Sequence, residues 1–251
     1  MTAEERRTEL LFLLSSADRV RMLTILRDEK KLRLSRLSSM TSMTVQEASR
    51  QVGRLQSARL VERDPRGLYL LTGLGRIALE FVPPFTFLAE RRDYLLSHDL
   101  SSLPPEFVER IGELAKGEYS DALRGVLEHL QEVLSGSAEY IWLMADQLLL
   151  GGWVTDRVLN GDGVPLRIIL PSSVAADLDP RPDQFRGKVE LGLVERVEVA
   201  MALSESVAGV AFPDLTGRLD FDKGLRSRDP LFHAWCSDLF EHHWGRVRRV
   251  L

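Results

Sequence analysis

Thr44-Val45-Gln46-Glu47-Ala48-Ser49-Arg50-Gln51-Val52-Gly53-Arg54-Leu55 is the stretch that decides how this chain folds. Val45, Ala48, Val52 and Leu55 recur in steps of three, four and three, which keeps one side of an α-helix apolar. Gln46, Glu47, Arg50, Gln51 and Arg54 fall on the other side. Thr44 stands where an N-cap belongs. The expected element is a helix that packs by its aliphatic side and leaves amides and guanidinium groups outward.

The surroundings are read outward from that helix. Upstream, Ser35 is expected to cap a short helix carrying Leu37 and Met40, and Thr41-Ser42-Met43-Thr44 reads as the turn between the two. Glu4 to Leu14 reads as helical. Ser16 is a candidate cap for a second helix, Ala17 to Arg27, with Val20, Leu23, Ile25 and Leu26 near helical spacing. Downstream, Leu60-Val61 turns extended. Asp64-Pro65-Arg66-Gly67 is a turn signal, because Pro fixes one backbone angle and Gly permits a positive one. Leu68 to Leu71 returns as a strand. Thr72 is expected to cap a long helix that Pro83-Pro84 interrupts.

Helix, turn, helix and basic hairpin in this order read as a winged helix-turn-helix. One face of its second helix packs on the scaffold while the other lies in a DNA groove. Arg reaches guanine O6 and N7 with two donors, Gln pairs with adenine and Glu accepts from cytosine. Gln46, Glu47 and Arg50 are therefore the expected base readers, with Thr44 and Gln51 beside them and Arg54 nearer the backbone. Arg63 and Arg66 flank the hairpin and suit phosphates or the minor groove. The competing reading of the same pattern is a solvated amphipathic helix without a ligand.

Charge fits the first reading. The net charge of −4 hides an asymmetry. Residues 1–80 hold 15 Lys and Arg against 10 Asp and Glu, a balance of +5; residues 81–251 hold 18 against 27, a balance of −9. A basic segment joined to an acidic one binds DNA with one end only. One cysteine, Cys236, excludes an intrachain disulfide. With no apolar leader after Glu4-Glu5-Arg6-Arg7, and only a short apolar run at Tyr140 to Val154, the expected location is the cytoplasm, with no membrane partner.

Residues 10 to 80 resemble the winged helix of ArsR- and MarR-type regulators. Met43 to Val52 resembles their recognition helix, and Leu55-Gln56-Ser57-Ala58-Arg59-Leu60-Val61 resembles their exit from it. The chain departs at Arg59, where that family has Gly, so its helix end is expected to be strained or differently built. The metal-sensing cysteines of ArsR-type proteins are absent. The closing stretch Ser227-Arg228-Asp229-Pro230-Leu231-Phe232-His233-Ala234-Trp235-Cys236-Ser237-Asp238-Leu239-Phe240-Glu241-His242-His243-Trp244 resembles archaeal regulators of the methanogenesis-regulator, TrmB-like type. Their second domain has a phospholipase-D-like shape without catalysis. The resemblance implies an archaeal transcription regulator that binds double-stranded DNA as a homodimer and answers to a small-molecule or protein effector.

The expected fold class is α+β: a winged helix-turn-helix over residues 1–82, a helical linker over 83–135, and an α/β effector domain over 136–251. In the linker a helical stretch from Glu106 to Leu134 is expected, broken near Gly117. Beyond it, strands are expected at Glu139–Met144, Leu166–Leu170, Val194–Ala200 and Val207–Phe212. A helix runs into Asn160, Asn160 to Gly163 forms a turn, and a helix closes the chain from Asp229 to Val250.

No catalytic constellation is found. The phospholipase D reaction needs His-x-Lys, which is absent, as are Gly-x-Ser-x-Gly, a phosphate loop with Lys, and His-Glu-x-x-His. The chain reads as a non-enzyme without a cofactor. His233, Cys236 and His243 share one helix face, yet ligands strung along one helix cannot converge on a single ion beyond two of them, so packing is their expected role and no metal is expected. Trp142, Trp153 and Trp235 suit either a ligand pocket or the core. A protein–protein adaptor whose winged helix no longer binds DNA is the alternative function.

Overall fold

The computed structural model describes residues 2–147, 164–176 and 189–250. The chain separates into two compact units, residues 1–86 and 87–251.

In the first unit α1 (Ala3–Leu14), α2 (Ala17–Glu29), α3 (Leu34–Thr41) and α4 (Val45–Ser57) precede a hairpin of β1 (Val61–Arg63) and β2 (Tyr69–Leu71). The helices α5 (Gly73–Leu79) and α6 (Val82–Glu90) follow, and the second unit begins within α6. The core forms where the apolar sides of these elements meet. Met22, Leu23, Leu26, Leu37, Ala48, Val52, Leu55 and Leu60 are all at most 1% exposed. Burying a leucine such as Leu55 contributes on the order of 2 kcal/mol.

Local chemistry departs from the sequence reading at three places. Val45 is 54% exposed, because the first residue of α4 precedes the turn that meets the core. Ser35 lies inside α3, whose N-cap position is Arg33, so it caps nothing. Ser16 stands at the N-cap of α2 but makes no capping hydrogen bond. Thr72 does cap α5, accepting from Gly75 N–H at 3.0 Å. The expected long helix after Thr72 ends at Leu79, and Pro83 and Pro84 stand in the first turn of α6, where a missing N–H costs little.

The second unit is built on an eight-stranded sheet among the described residues. Its strands are β3 (Glu118–Ser120), β4 (Ile141–Met144), β5 (Leu166–Pro171), β6 (Val189–Val194), β7 (Ala200–Ser204), β8 (Ala208–Ala211), β9 (Gly224–Ser227) and β10 (Arg248–Arg249). Their order is β10-β6-β5-β4-β7-β8-β9-β3, with β4, β5 and β6 parallel and the other pairings antiparallel. Short helices α7 (Arg92–Ser97), α8 (Pro105–Glu109) and α10 (Ser172–Ala176), a 3₁₀ turn at Ile111–Lys116, and the longer α9 (Leu123–Gly136) and α11 (Pro230–Trp244) complete it. Alternation along the strands divides the core in two. Met144, Ile169, Met201 and Leu203 pack with Phe232, Trp235, Leu239 and Phe240 of α11. Ile141, Leu143, Ile168 and Leu170 pack with Val133 and Leu134 of α9.

The chain is thus α+β, and several expected boundaries move. Residues expected to form a linker over 83–135 include Phe87, Tyr94, Leu103, Phe107, Ile111 and Leu114, all buried in the core of the second unit, because amphipathic turns with no other partner close over its sheet. The expected break near Gly117 is present and wider than a kink: Gly117 ends the 3₁₀ turn, a Cβ there would lie 2.7 Å from the Phe232 ring, and β3 follows to pair with β9 before α9 begins at Leu123. Strand alternation expected over Val194–Ala200 fails, since β6 ends at Val194 and β7 starts at Ala200. The closing helix ends at Trp244, and Arg248–Arg249 leaves it to edge the sheet against β6. The expected helix into Asn160, the turn at Asn160 to Gly163, and Trp153 lie outside the described residues.

The single cysteine and the carboxyl-terminal aromatics are core. Cys236 is fully buried, and burial pushes its thiol well above the ordinary range. His233 Nε2 lies 2.6 Å from the Ser204 carbonyl oxygen, and Trp235 donates to Phe107 O at 3.1 Å. Trp142 stacks on Phe240 with centroids 5.0 Å apart.

Candidate nucleic-acid interface

The turn into α4 is fixed by backbone geometry. Ser42 adopts a left-handed conformation with φ 58°, and Ser38 Oγ donates to Met43 O at 2.8 Å. Thr44 then begins α4 with a reciprocal cap. Its Oγ1 accepts from Glu47 N–H at 3.2 Å, and Glu47 Oε2 accepts from Thr44 N–H at 3.1 Å and from the Thr44 hydroxyl at 2.8 Å. These bonds hold the Glu47 carboxyl below its ordinary range. In this state Glu47 and Thr44 build the helix end, and the carboxylate is turned back rather than outward as the sequence reading has it.

Gln51 is also committed inward. It is half-buried, and its Oε1 accepts from Arg19 Nη1 at 3.3 Å. Arg19 is only 4% exposed. It donates from Nε to Leu13 O at 2.8 Å and from Nη2 to Phe12 O at 2.5 Å, so one guanidinium ties the end of α1 to the middle of α4. Burial, then the positive charge of Arg54, lowers its pKa, while Asp18 opposes.

Gln46, Ser49, Arg50 and Arg54 are exposed on the outer face, while Ala48, Val52 and Leu55 are 0–1% exposed on the inner face. Gly53 stands in that outer row with nothing within 4 Å of a Cβ added there. Among the described residues Arg50 and Arg54 make no ion pair within 4 Å, although the charge of Arg50 helps to hold the Glu47 carboxyl low.

The hairpin adds Arg63 and Arg66. Asp64 Oδ1 accepts from Arg66 N–H and Leu68 N–H, both at 2.9 Å, and Gly67 closes the turn at φ 80°. The Leu68 bond first, then Arg66 N–H and nearby Lys31, hold the Asp64 carboxyl low despite partial burial. Arg63 lies over the Tyr69 ring at 5.5 Å. Arg66 projects from the tip, exposed and without an ion pair among the described residues. Leu32 adds a single antiparallel bridge to the hairpin, exchanging hydrogen bonds of 3.0 and 2.8 Å with Tyr69.

Arg59 resolves the departure noted in the sequence. Its φ is 58°, the left-handed region that favours Gly. Arg59 N–H donates to Gln56 O and Leu60 N–H to Leu55 O, both at 2.9 Å, which is the Schellman pattern. Thr72 Oγ1 donates to Arg59 O at 2.7 Å and locks it. The helix end is therefore built in the ordinary way on a strained residue. Arg59 is exposed, and so are Arg33 and Arg36 on α3. Arg33 and Arg36 were missed as site candidates, although the excess of Arg in the first 80 residues points at them.

Of the eight residues singled out by sequence, Gln46, Arg50, Arg54, Arg63 and Arg66 are thus exposed, Thr44 and Glu47 are exposed but bonded to each other, and Gln51 is half-buried against Arg19. Among the described residues no helix is long and apolar enough to cross a membrane.

No protein-family model matches the chain, and no curated protein matches it. Among solved structures it is similar to the archaeal chromatin protein TrmBL2, at 14% identity over 98% of this chain and 100% of that one, with a TM-score of 0.44. It is also similar to a transcriptional regulator of the IclR family from a Rhodococcus species, at 12% identity over 98% and 95% of the chains and a TM-score of 0.22. A polyphosphate kinase from Porphyromonas gingivalis matches at 12% identity over 69% of this chain and 27% of that one, with a TM-score of 0.29. All three scores lie below 0.5, and the functional reading is carried by this chain's own residues.

Proposed function

We propose that the first unit is a winged helix-turn-helix and that the protein is a sequence-specific, DNA-binding transcription regulator of the cytoplasm, without catalysis, acting as a homodimer under an effector at its second unit. The observation that carries the reading is the two-sided α4: a buried inner face of Ala48, Val52 and Leu55, and an exposed outer face of Gln46, Ser49, Arg50 and Arg54 whose arginines make no ion pair within 4 Å among the described residues. Cations left unpaired on one face suit a polyanion, because phosphate contact releases counterions. Arg63 and Arg66 extend the same charge along the hairpin.

The sites divide by role. Gln46 and Arg50 read base edges; Arg54, Arg59, Arg63 and Arg66 hold phosphates. Glu47 and Thr44 shape the helix end, whose free N–H groups meet a phosphate. Gln51 positions α4 through Arg19. A homodimer is favoured by a stripe of exposed apolar residues, Leu74 and Ile77 on α5, Phe81 between the helices and Phe85 on α6, which are 46–63% exposed. Two heads held by that stripe would meet successive major grooves about 34 Å apart.

The test is selection of binding sequences from random DNA, followed by anisotropy at several salt concentrations. Arg50→Ala is expected to relax specificity at one base pair. Arg66→Ala is expected to weaken all sequences alike and reduce the slope of log K against log salt by about 0.9 for one lost phosphate. Equal, sequence-independent losses from both variants remove the assignment of roles, and absence of any selected site favours a protein–protein adaptor.

A further inference from the structure

Arg19 is a buried cation that makes no ion pair within 4 Å among the described residues. Three oxygens stand in for a counter-ion: the carbonyls of Phe12 and Leu13 at the end of α1, and Gln51 Oε1 on α4. Hydrogen bonds to these oxygens offset the loss of water around the charge.

The consequence falls on Gln51. A guanidinium nitrogen can only donate, so the amide atom facing Arg19 Nη1 at 3.3 Å is the oxygen. That fixes the amide and turns its NH₂ the other way. Nε2 makes no hydrogen bond among the described residues and is not one of their buried unpaired atoms, so it meets solvent. An ordinary glutamine offers both a donor and an acceptor, and pairing with adenine uses both. Gln51 has spent its acceptor on Arg19. What it presents outward is a donor alone, strengthened because the cation behind it polarises the amide.

Its place on α4 selects the recipient. Gln51 is half-buried, at the rim between the packed face of Ala48, Val52 and Leu55 and the exposed face of Gln46, Arg50 and Arg54. In a helix lying in the major groove, the middle of the outer face meets base edges and its flanks meet the phosphates. Arg54, three residues on, is exposed, and its charge adds to burial in lowering the Arg19 pKa, so the two cations lie near one flank. Glu47, one turn back, is folded onto Thr44. We propose that Gln51 Nε2 donates to a phosphate oxygen of the DNA backbone and that Arg19 is the positioning residue that makes it a donor. This rests on the DNA reading of α4, and it gives Gln51 a phosphate where its residue type suggests a base.

The test measures binding of the full chain to its selected DNA by anisotropy at several salt concentrations. Gln51→Met keeps the length and loses the NH₂, so affinity should fall about tenfold, the worth of a hydrogen bond to a charged group, and alike on every sequence. The slope of log K against log salt should stay unchanged, because a neutral donor releases no counterion. Gln51→Glu keeps the acceptor for Arg19 and gives the cation a charge partner. Its Val52 and Leu55 amides should exchange no faster than in wild type, while DNA binding falls further than in Gln51→Met, since a carboxylate oxygen replaces the donor. Arg19→Lys keeps the charge, but one ammonium cannot reproduce the fork that holds three oxygens. It should weaken binding in the wild-type background and add nothing to Gln51→Met, a pattern that a purely structural Arg19 does not give. The proposal is overturned if Gln51→Met binds as tightly as wild type, if its loss is confined to one base position, if it flattens the salt slope, or if Arg19→Lys costs the same with and without Gln51. Should Arg19→Lys not fold, the two Gln51 variants decide alone. Wild type that selects no DNA removes the DNA reading itself; wild type that selects DNA beside an indifferent Gln51→Met removes this proposal alone.

Discussion

Replacing Arg59 with Gly separates the strain of the α4 exit from its charge. A side chain held at φ 58° costs about 1–2 kcal/mol relative to Gly. The extra freedom Gly gives the unfolded chain returns about 0.4–1 kcal/mol of that. Arg59→Gly should therefore stabilise the first unit by roughly 0.5–1 kcal/mol. Arg59→Ala loses the same cation but keeps a Cβ in the left-handed region, so its stability should match wild type within about 0.3 kcal/mol, a surface effect. All four tryptophans lie in the second unit, so fluorescence is blind to the change. Hydrogen exchange of the Ala48, Val52 and Leu55 amides reads opening of the first unit directly. Both variants should lose DNA affinity equally, with the salt slope falling by about 0.9 if Arg59 holds one phosphate. Slower exchange in Gly than in Ala, with equal DNA loss, is the expected pattern. Gly exchanging as fast as Ala would refute the strain; unchanged DNA binding in both would refute the phosphate contact.

The remaining predictions concern packing, assembly and pH. Gly75→Ala places a Cβ 2.0 Å from Leu60 O, a backbone atom that cannot step aside, so the first unit should lose about 3 kcal/mol, read by the same amide exchange. Phe81→Asp puts a charge in the exposed apolar stripe and should yield a monomer in analytical ultracentrifugation, with a smaller salt slope; an unchanged mass would remove the stripe as the dimer contact. Burial first, then His242 and Arg246, push His243 down to about 4, and burial lowers His129. Above the unfolded pKa of about 6.5 both are neutral in either state; as pH falls from there toward 4, only the unfolded chain gains protons, so stability falls. The urea midpoint read by tryptophan fluorescence should drop between pH 7 and pH 5 by the equivalent of roughly 1 kcal/mol after solvent screening. His243→Gln should flatten the decline, and a midpoint constant over that range would contradict the burial argument.

Local signals were legible and long-range ones were not. The helix α4, its Thr44 cap and the Asp64–Gly67 turn are written in contiguous residues, and the structure places them there. Val45 was misplaced because periodicity does not say where along a helix the core begins. Glu47 and Gln51 have the residue types of base readers, but their partners, Thr44 and Arg19, decide where they point, and the Arg19 contact spans 32 positions. Three-residue β3 owes its extended form to pairing with β9, more than a hundred residues away, so no window around Gly117 could reveal it. Strand order fails for the same reason. Ala202 and Gly209 read merely as weak strand formers; only His129 of α9, whose Nε2 would lie 2.3 Å from a Cβ at Gly209, makes their smallness meaningful.

Gly53 leaves bare backbone in the middle of the outer face of α4, with room for any side chain. Helix propensity alone would welcome a replacement by Ala, by about 1 kcal/mol. Changes at this one position are thus tolerated or welcomed by the fold yet felt at once by whatever lies against the helix. It is the natural place to retune a target preference without re-engineering the scaffold.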